Sequence, residues 1–183
     1  MIFHTIMEML KALFFNETLK RWHFEELVKQ SKLSRERVNF YLNQFQKANL
    51  IKRIKEKNKM PYYLANRDSL RFRFEKREYG LNKLQGLIEH ISASKGVKTA
   101  ILFGSFARGD WSASSDIDIF IFGNMNDFNK AKFEKDLNRE IHLFAYEKKE
   151  SIRKDLDEHL FPNIIRGVYI KDELFPFEVI VNA

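Results

Sequence analysis

Apolar positions along the chain follow two rhythms, and the switches between them predict its elements. In "MIFHTIMEMLKALFF", Ile6, Met9, Leu10, Leu13 and Phe14 recur at helical spacing and predict a first helix. His4, Glu8 and Lys11 interrupt this stretch and no small-residue cleavage site follows, so it reads as the start of a folded domain rather than a signal peptide. Phe24, Leu27 and Val28 mark a short second helix. "SKLS", Ser31 to Ser34, is a turn whose last serine suits an N-cap. A third helix follows, with Val38, Tyr41, Leu42 and Phe45 at i, i+3, i+4 and i+7. The rhythm then changes: Leu50 to Lys55 reads as a strand, Glu56 to Lys59 as a charged turn, and Met60 to Ala65 as a return strand in which Pro61 demands an edge position.

From Asp68 to Ser92 the helical rhythm returns, through Leu70, Phe74, Leu81, Leu84, Ile88 and Ile91, with Arg77 breaking the stripe. Gly80 and Gly86 each weaken such a helix by about 1 kcal/mol relative to Ala. One long connector, a dimer-forming coiled coil, or two shorter helices broken near Gly80 all fit the pattern. Beyond it, Ala100 to Phe103 is a buried strand. Asp116 to Phe122 alternates with period two, and Arg139 to Tyr146 ("REIHLFAY") forms a later strand. The tail predicts a charged helix with Ile152 and Leu156, ended or bent by Pro162, and a last strand from Val168 to Ile170.

These 183 residues leave room for one large domain or two small ones. No cysteine is present, which excludes disulfides and thiolate metal sites and agrees with a reducing, cytoplasmic setting. No apolar run approaches the roughly 20 residues that a membrane span needs. The net charge of +7 is uneven: residues 1–90 hold 19 Lys and Arg against 10 Asp and Glu, whereas the remainder hold 13 against 15. A basic half joined to a mildly acidic one points to two modules, the first meeting a polyanion or carrying a solvated lysine surface.

Three helices followed by a basic hairpin resemble, in the order and spacing of their elements, the winged helix-turn-helix domains. The resemblance covers about residues 3–66. It implies that the helix opening at Ser34 enters the major groove of double-stranded DNA, with Arg35, Arg37, Asn39 and Asn43 facing base edges and phosphates. Lys52, Arg53, Lys55, Lys57 and Lys59 would contact the backbone from the wing, with an affinity that falls with salt. Members of this family also serve in protein contact, and many read two half-sites as homodimers.

The second half carries "GSFARGDWSASSDIDIF", Gly104 to Phe120. Gly104 lets the backbone turn sharply and approach a ligand, and Ser105 adds a hydroxyl. The short helix or turn that follows has amides suited to phosphate oxygens. Period two places Asp116 and Asp118 on one strand face, where two carboxylates repel unless a cation lies between them. Hard oxygens at that spacing suit Mg²⁺, which completes its shell with water and substrate phosphates. Gly-Ser, ten residues, then Asp-Ile-Asp resembles the signature of the polymerase-β-like nucleotidyltransferases, closest to their minimal (MNT) branch, over about residues 96–180.

That resemblance implies a small mixed sheet flanked by helices. It places Gly104 and Ser105 at the triphosphate of a nucleoside triphosphate, and Asp116 and Asp118 on Mg²⁺ as catalytic residues. Arg108 either touches phosphate or braces the loop. Active members bring a third carboxylate from a later strand, and the matching position here is His142, between Ile141 and Leu143. His142 is then a catalytic substitute or a satisfied polar residue beside an unused site. Glu140 shares its strand face and is a further acid or an exposed strand start.

The expected fold class is α+β: a winged helix-turn-helix domain over residues 1–67, a helical connector over 68–92, and a mixed-sheet nucleotidyltransferase-like domain over 93–183. The expected activity is transfer of a nucleoside monophosphate to an acceptor hydroxyl. In antitoxin-like relatives the acceptor is a tyrosine of a HEPN-type partner protein. The alternative is a DNA-binding transcriptional regulator whose second half only holds nucleotide.

Overall fold

The computed structural model describes residues 2–172, with side chains described from residue 7 onward. Ile6 of the first apolar stripe and the tail beyond residue 172 lie outside that range. The described chain divides into two compact units, Met1–Lys76 and Arg77–Ala183.

In the first unit, α1 (Ile2–Asn16) buries Leu10, Phe14 and Phe15, whereas Met9 is exposed. The next helices are α2 (Phe24–Ser31) and α3 (Arg35–Lys47). Lys32, in the left-handed conformation, closes α2, and the Ser34 side chain accepts a hydrogen bond from the Arg37 amide to open α3. Val38, Tyr41, Leu42 and Phe45 are the buried face of α3, as its spacing predicts. Two elements depart from expectation. A two-residue strand, β1 (Trp22–His23), joins the hairpin of β2 (Ile51–Ile54) and β3 (Tyr62–Ala65) in an antiparallel sheet of order β1-β3-β2. The return strand is therefore central rather than at an edge. Pro61 is compatible with this because the paired ladder begins one residue later, at Tyr62, so its missing N–H removes no ladder hydrogen bond.

The helical stretch over 68–92 is two helices, α4 (Leu70–Lys83) and α5 (Gln85–Ala93). The break falls at Leu84 rather than near Gly80. There ψ opens to 2°, and the Leu84 amide donates to both the Gly80 and Leu81 carbonyls, a tightened last turn. Gly80 stays helical because its bare Cα lies against the indole of Trp111 and the ring of Phe106, where a methyl group would collide.

In the second unit, β4 (Val97–Phe103), β5 (Ile117–Gly123), β6 (Ile141–Tyr146) and β7 (Val168–Asp172) form a mixed sheet of order β6-β5-β4-β7. β5 and β6 are parallel, and the other pairs antiparallel. A five-residue helix, α6 (Gly104–Arg108), follows β4 directly. α7 (Lys130–Leu137) crosses between the parallel strands, and α8 (Lys149–Asp155) and α9 (Phe161–Ile165) precede β7. Pro162 begins α9 instead of ending a helix, since its fixed φ and missing N–H cost nothing in a first turn.

Ile101, Phe103, Phe120 and Phe122 pack under Ile152 and Ile164, from α8 and α9. Ile119 and Ile121, of the opposite parity on β5, are fully buried. Burying each isoleucine side chain is worth roughly 1.5–3 kcal/mol, so the register of β5 is tightly held, and with it the direction in which Asp118 points.

Candidate functional site

β4 ends at Phe103 and α6 starts at Gly104 with φ at +69°. β5 runs antiparallel to β4 with Asp118 opposite Phe103, so the Asp118 carboxylate abuts the Gly104 turn. A Cβ at position 104 would overlap Asp118 Oδ2. Asp116 lies just before β5. Both aspartates line a cleft of about 370 Å³ together with Phe103, Gly104, Ser105, Arg108, Ser115, Phe144, Leu160 and Asn163. All five residues named from the nucleotidyltransferase motif thus share one cleft. Arg108 sits on its wall, with Nε 3.1 Å from Asp110 Oδ2.

Parallel pairing sets His142 of β6 directly opposite Asp118 of β5. His142 Nδ1 is 3.4 Å from Asp118 Oδ1, and its Nε2 is 3.8 Å from Asp116 Oδ2 and 3.6 Å from Glu140 Oε1. Asp116, Glu140 and His142 offer ligand atoms within 4.8 Å of one another. Burial pushes the Asp118 carboxyl above its ordinary value, and Asp116 adds to that, while His142 and Arg108 oppose it. A divalent cation would relieve the crowding of acids, and this donor set of carboxylate oxygens and one imidazole fits such an ion.

Arg139 was not singled out in the sequence. Its Nη1 donates to the carbonyls of Ser112 (2.9 Å) and Ser115 (2.6 Å), closing the loop that delivers Asp116. Its guanidinium lies over the rings of Phe106 and Trp111, themselves stacked 5.3 Å apart. Burial lowers the Arg139 pKa from its ordinary value, and Asp116 opposes that shift.

In the first unit, Arg35, Arg37, Asn39 and Asn43 are exposed on α3, and Lys52, Arg53, Lys55, Lys57 and Lys59 are exposed on the hairpin. Arg35 is held 2.5 Å from Glu25 and over the Phe24 ring. Lys52 pairs with Asp68, and Lys59 with Glu56. Among the described residues, no helix is long and apolar enough to cross a membrane.

A glycine turn and a pair of carboxylates converge on one cleft, an arrangement chemically suited to an anionic ligand with its cation. Comparison with known proteins gives that arrangement a family. The nucleotidyltransferase domain family matches residues 84–170. Two proteins of Methanocaldococcus jannaschii are similar over this region. "Putative protein adenylyltransferase MJ0604" is 41% identical over 51 residues, covering 25% of this chain and 51% of the relative. "Putative protein adenylyltransferase MJ0435" is 33% identical over 81 residues, covering 41% of this chain and 87% of the relative. The chain thus spans about half the length of the first and most of the second. It belongs to the nucleotidyltransferase family, whose chemistry is nucleotidyl transfer from a nucleoside triphosphate with a divalent metal.

Proposed function

We propose that the second unit, of the minimal (MNT) polymerase-β-like kind, transfers a nucleoside monophosphate from a Mg-nucleoside triphosphate to an acceptor hydroxyl, releasing pyrophosphate. The observation that carries this reading is the abutment of the Gly104 turn on Asp118, with Asp116 beside it in the same cleft. Gly104 and Ser105 hold the triphosphate, and Arg108 lies within the same wall. Asp116 and Asp118 hold Mg²⁺, which when bound neutralises charge on the phosphates. Phe144 and Leu160 supply the cleft's apolar surface, suited to a base or ribose. The relatives named as protein adenylyltransferases support adenosine triphosphate as donor and a protein hydroxyl as acceptor. A tyrosine of a HEPN-type partner is the acceptor of an antitoxin-like role.

The test is incubation of the full chain with α-labelled ATP, Mg²⁺ and candidate acceptors. Label transferred by the wild type should fall by at least about a thousandfold, or about 4 kcal/mol of barrier, in Asp116→Ala/Asp118→Ala. Transfer undiminished in that variant would refute the assignment. His142, standing where a third carboxylate is expected, favours a second reading, a regulator that binds nucleotide without transferring it. Binding of Mg-ATP with no transfer to any acceptor would select that reading.

For the first unit we propose a winged helix-turn-helix that binds double-stranded DNA, as a homodimer on two half-sites. Domains over 1–67 and 93–183 with a helical link between them fit this division of labour. The exposed Arg37, Asn39 and Asn43 of α3 and the basic hairpin support it. Lys55→Ala/Lys57→Ala is expected to weaken duplex binding for all sequences and to reduce the slope of log affinity against log salt by about 2. Fluorescence anisotropy with labelled duplexes checks this. Absence of duplex binding at low salt would remove the DNA assignment.

A further inference from the structure

An imidazole among carboxylates changes which cation a site prefers. Mg²⁺ favours an all-oxygen shell and keeps its waters, whereas first-row transition-metal ions accept imidazole nitrogen readily. The His142 ring is oriented for that use. Its Nδ1 faces Asp118 Oδ1 at 3.4 Å, which leaves Nε2 facing Asp116 Oδ2 and Glu140 Oε1 at 3.8 and 3.6 Å. A carboxylate that accepts from one ring nitrogen fixes the tautomer and directs the lone pair of the other toward a metal. Donors at about 2.1 Å from one ion stand about 3.0–3.4 Å apart; Nε2 is within a few tenths of an ångström of that spacing from each carboxylate, and all three ligand atoms lie within 4.8 Å of one another. Asp118 keeps its second oxygen, Oδ2, on the Gly104 side.

We propose that Asp116, Glu140 and Nε2 of His142 form a nitrogen-containing cation site that takes a first-row transition-metal dication, with Mn²⁺ as its probe, beside the Mg²⁺ that accompanies the triphosphate. The proposal rests on the nucleotidyl-transfer reading of the cleft and deepens it. Asp116 is shared between the two ions. Glu140, the residue just before β6, supplies the negative charge that His142 does not, and Asp118 orients the ring.

The experiment uses the full chain in a large excess of Mg²⁺. Continuous-wave electron paramagnetic resonance reads free Mn²⁺, and pulsed measurements read nitrogen coupled to bound Mn²⁺. The expected result is one retained Mn²⁺ with an imidazole nitrogen coupling. His142→Asp should abolish that coupling, which assigns it among the five histidines of the chain. It should also reduce the preference for Mn²⁺ over Mg²⁺ by at least about tenfold. Glu140→Gln should weaken Mn²⁺ retention about tenfold. Bound Mn²⁺ without nitrogen coupling, displacement of Mn²⁺ by equimolar Mg²⁺, or coupling that persists in His142→Asp would each overturn the proposal. Equilibrium dialysis of labelled ATP with Mg²⁺ alone separates the two levels. ATP that fails to bind removes the nucleotidyl-transfer reading, while ATP that binds beside nitrogen-free Mn²⁺ removes only the His142 site.

Discussion

Gly104→Ala is expected to leave a folded chain that binds Mg-ATP and transfers nucleotide at least about a hundredfold less well than the wild type. Two effects add. Position 104 sits at φ +69°, where an L-residue costs about 1–2 kcal/mol. The new methyl group would also overlap Asp118 Oδ2, so either the turn or the carboxylate must move. A displacement near 1 Å in a positioned catalytic group costs about 10² in rate. The loss should therefore appear in both nucleotide affinity and transfer, while urea unfolding reports a change of only about 1–2 kcal/mol. Full transfer by the alanine variant would show that the turn does not hold the triphosphate.

The same abutment shows what could be read from the chain alone. Gly-Ser after a buried apolar run, and aspartates two apart in an alternating segment, are local signals, and the strands they predict bring them together in one cleft. The position of His142 was also legible, because it stands between Ile141 and Leu143 where the family resemblance expects an acid, and parallel pairing sets it opposite Asp118. Pro61 and Pro162 show the limit of residue-level rules. Each was read by what proline forbids, yet one lies just outside a central strand and the other opens a short helix, positions set by neighbouring elements. β1 has two residues, too few to carry a period. The contacts of Arg139 join residues 24 and 27 positions apart, so no window along the sequence contains them.

Arg139→Ala carries the second large expectation, because Arg139 closes the loop that leads to Asp116 from outside the lining of the cleft. Its removal strips the Ser112 and Ser115 carbonyls of a charged donor, at about 1.5–3 kcal/mol. Loss of its place over Phe106 and Trp111 adds about 0.5–1 kcal/mol. The second unit should therefore unfold at lower urea. Asp116 follows Ser115 directly, so transfer should fall about tenfold or more even at temperatures where the variant is fully folded. Arg139→Lys returns the charge but not the planar face that lies over two rings while donating to two carbonyls, and it is expected to recover stability only in part. Transfer that recovered fully once the alanine variant was folded would make Arg139 a residue of stability alone. Loss that persists in the folded variant makes it the residue that positions Asp116.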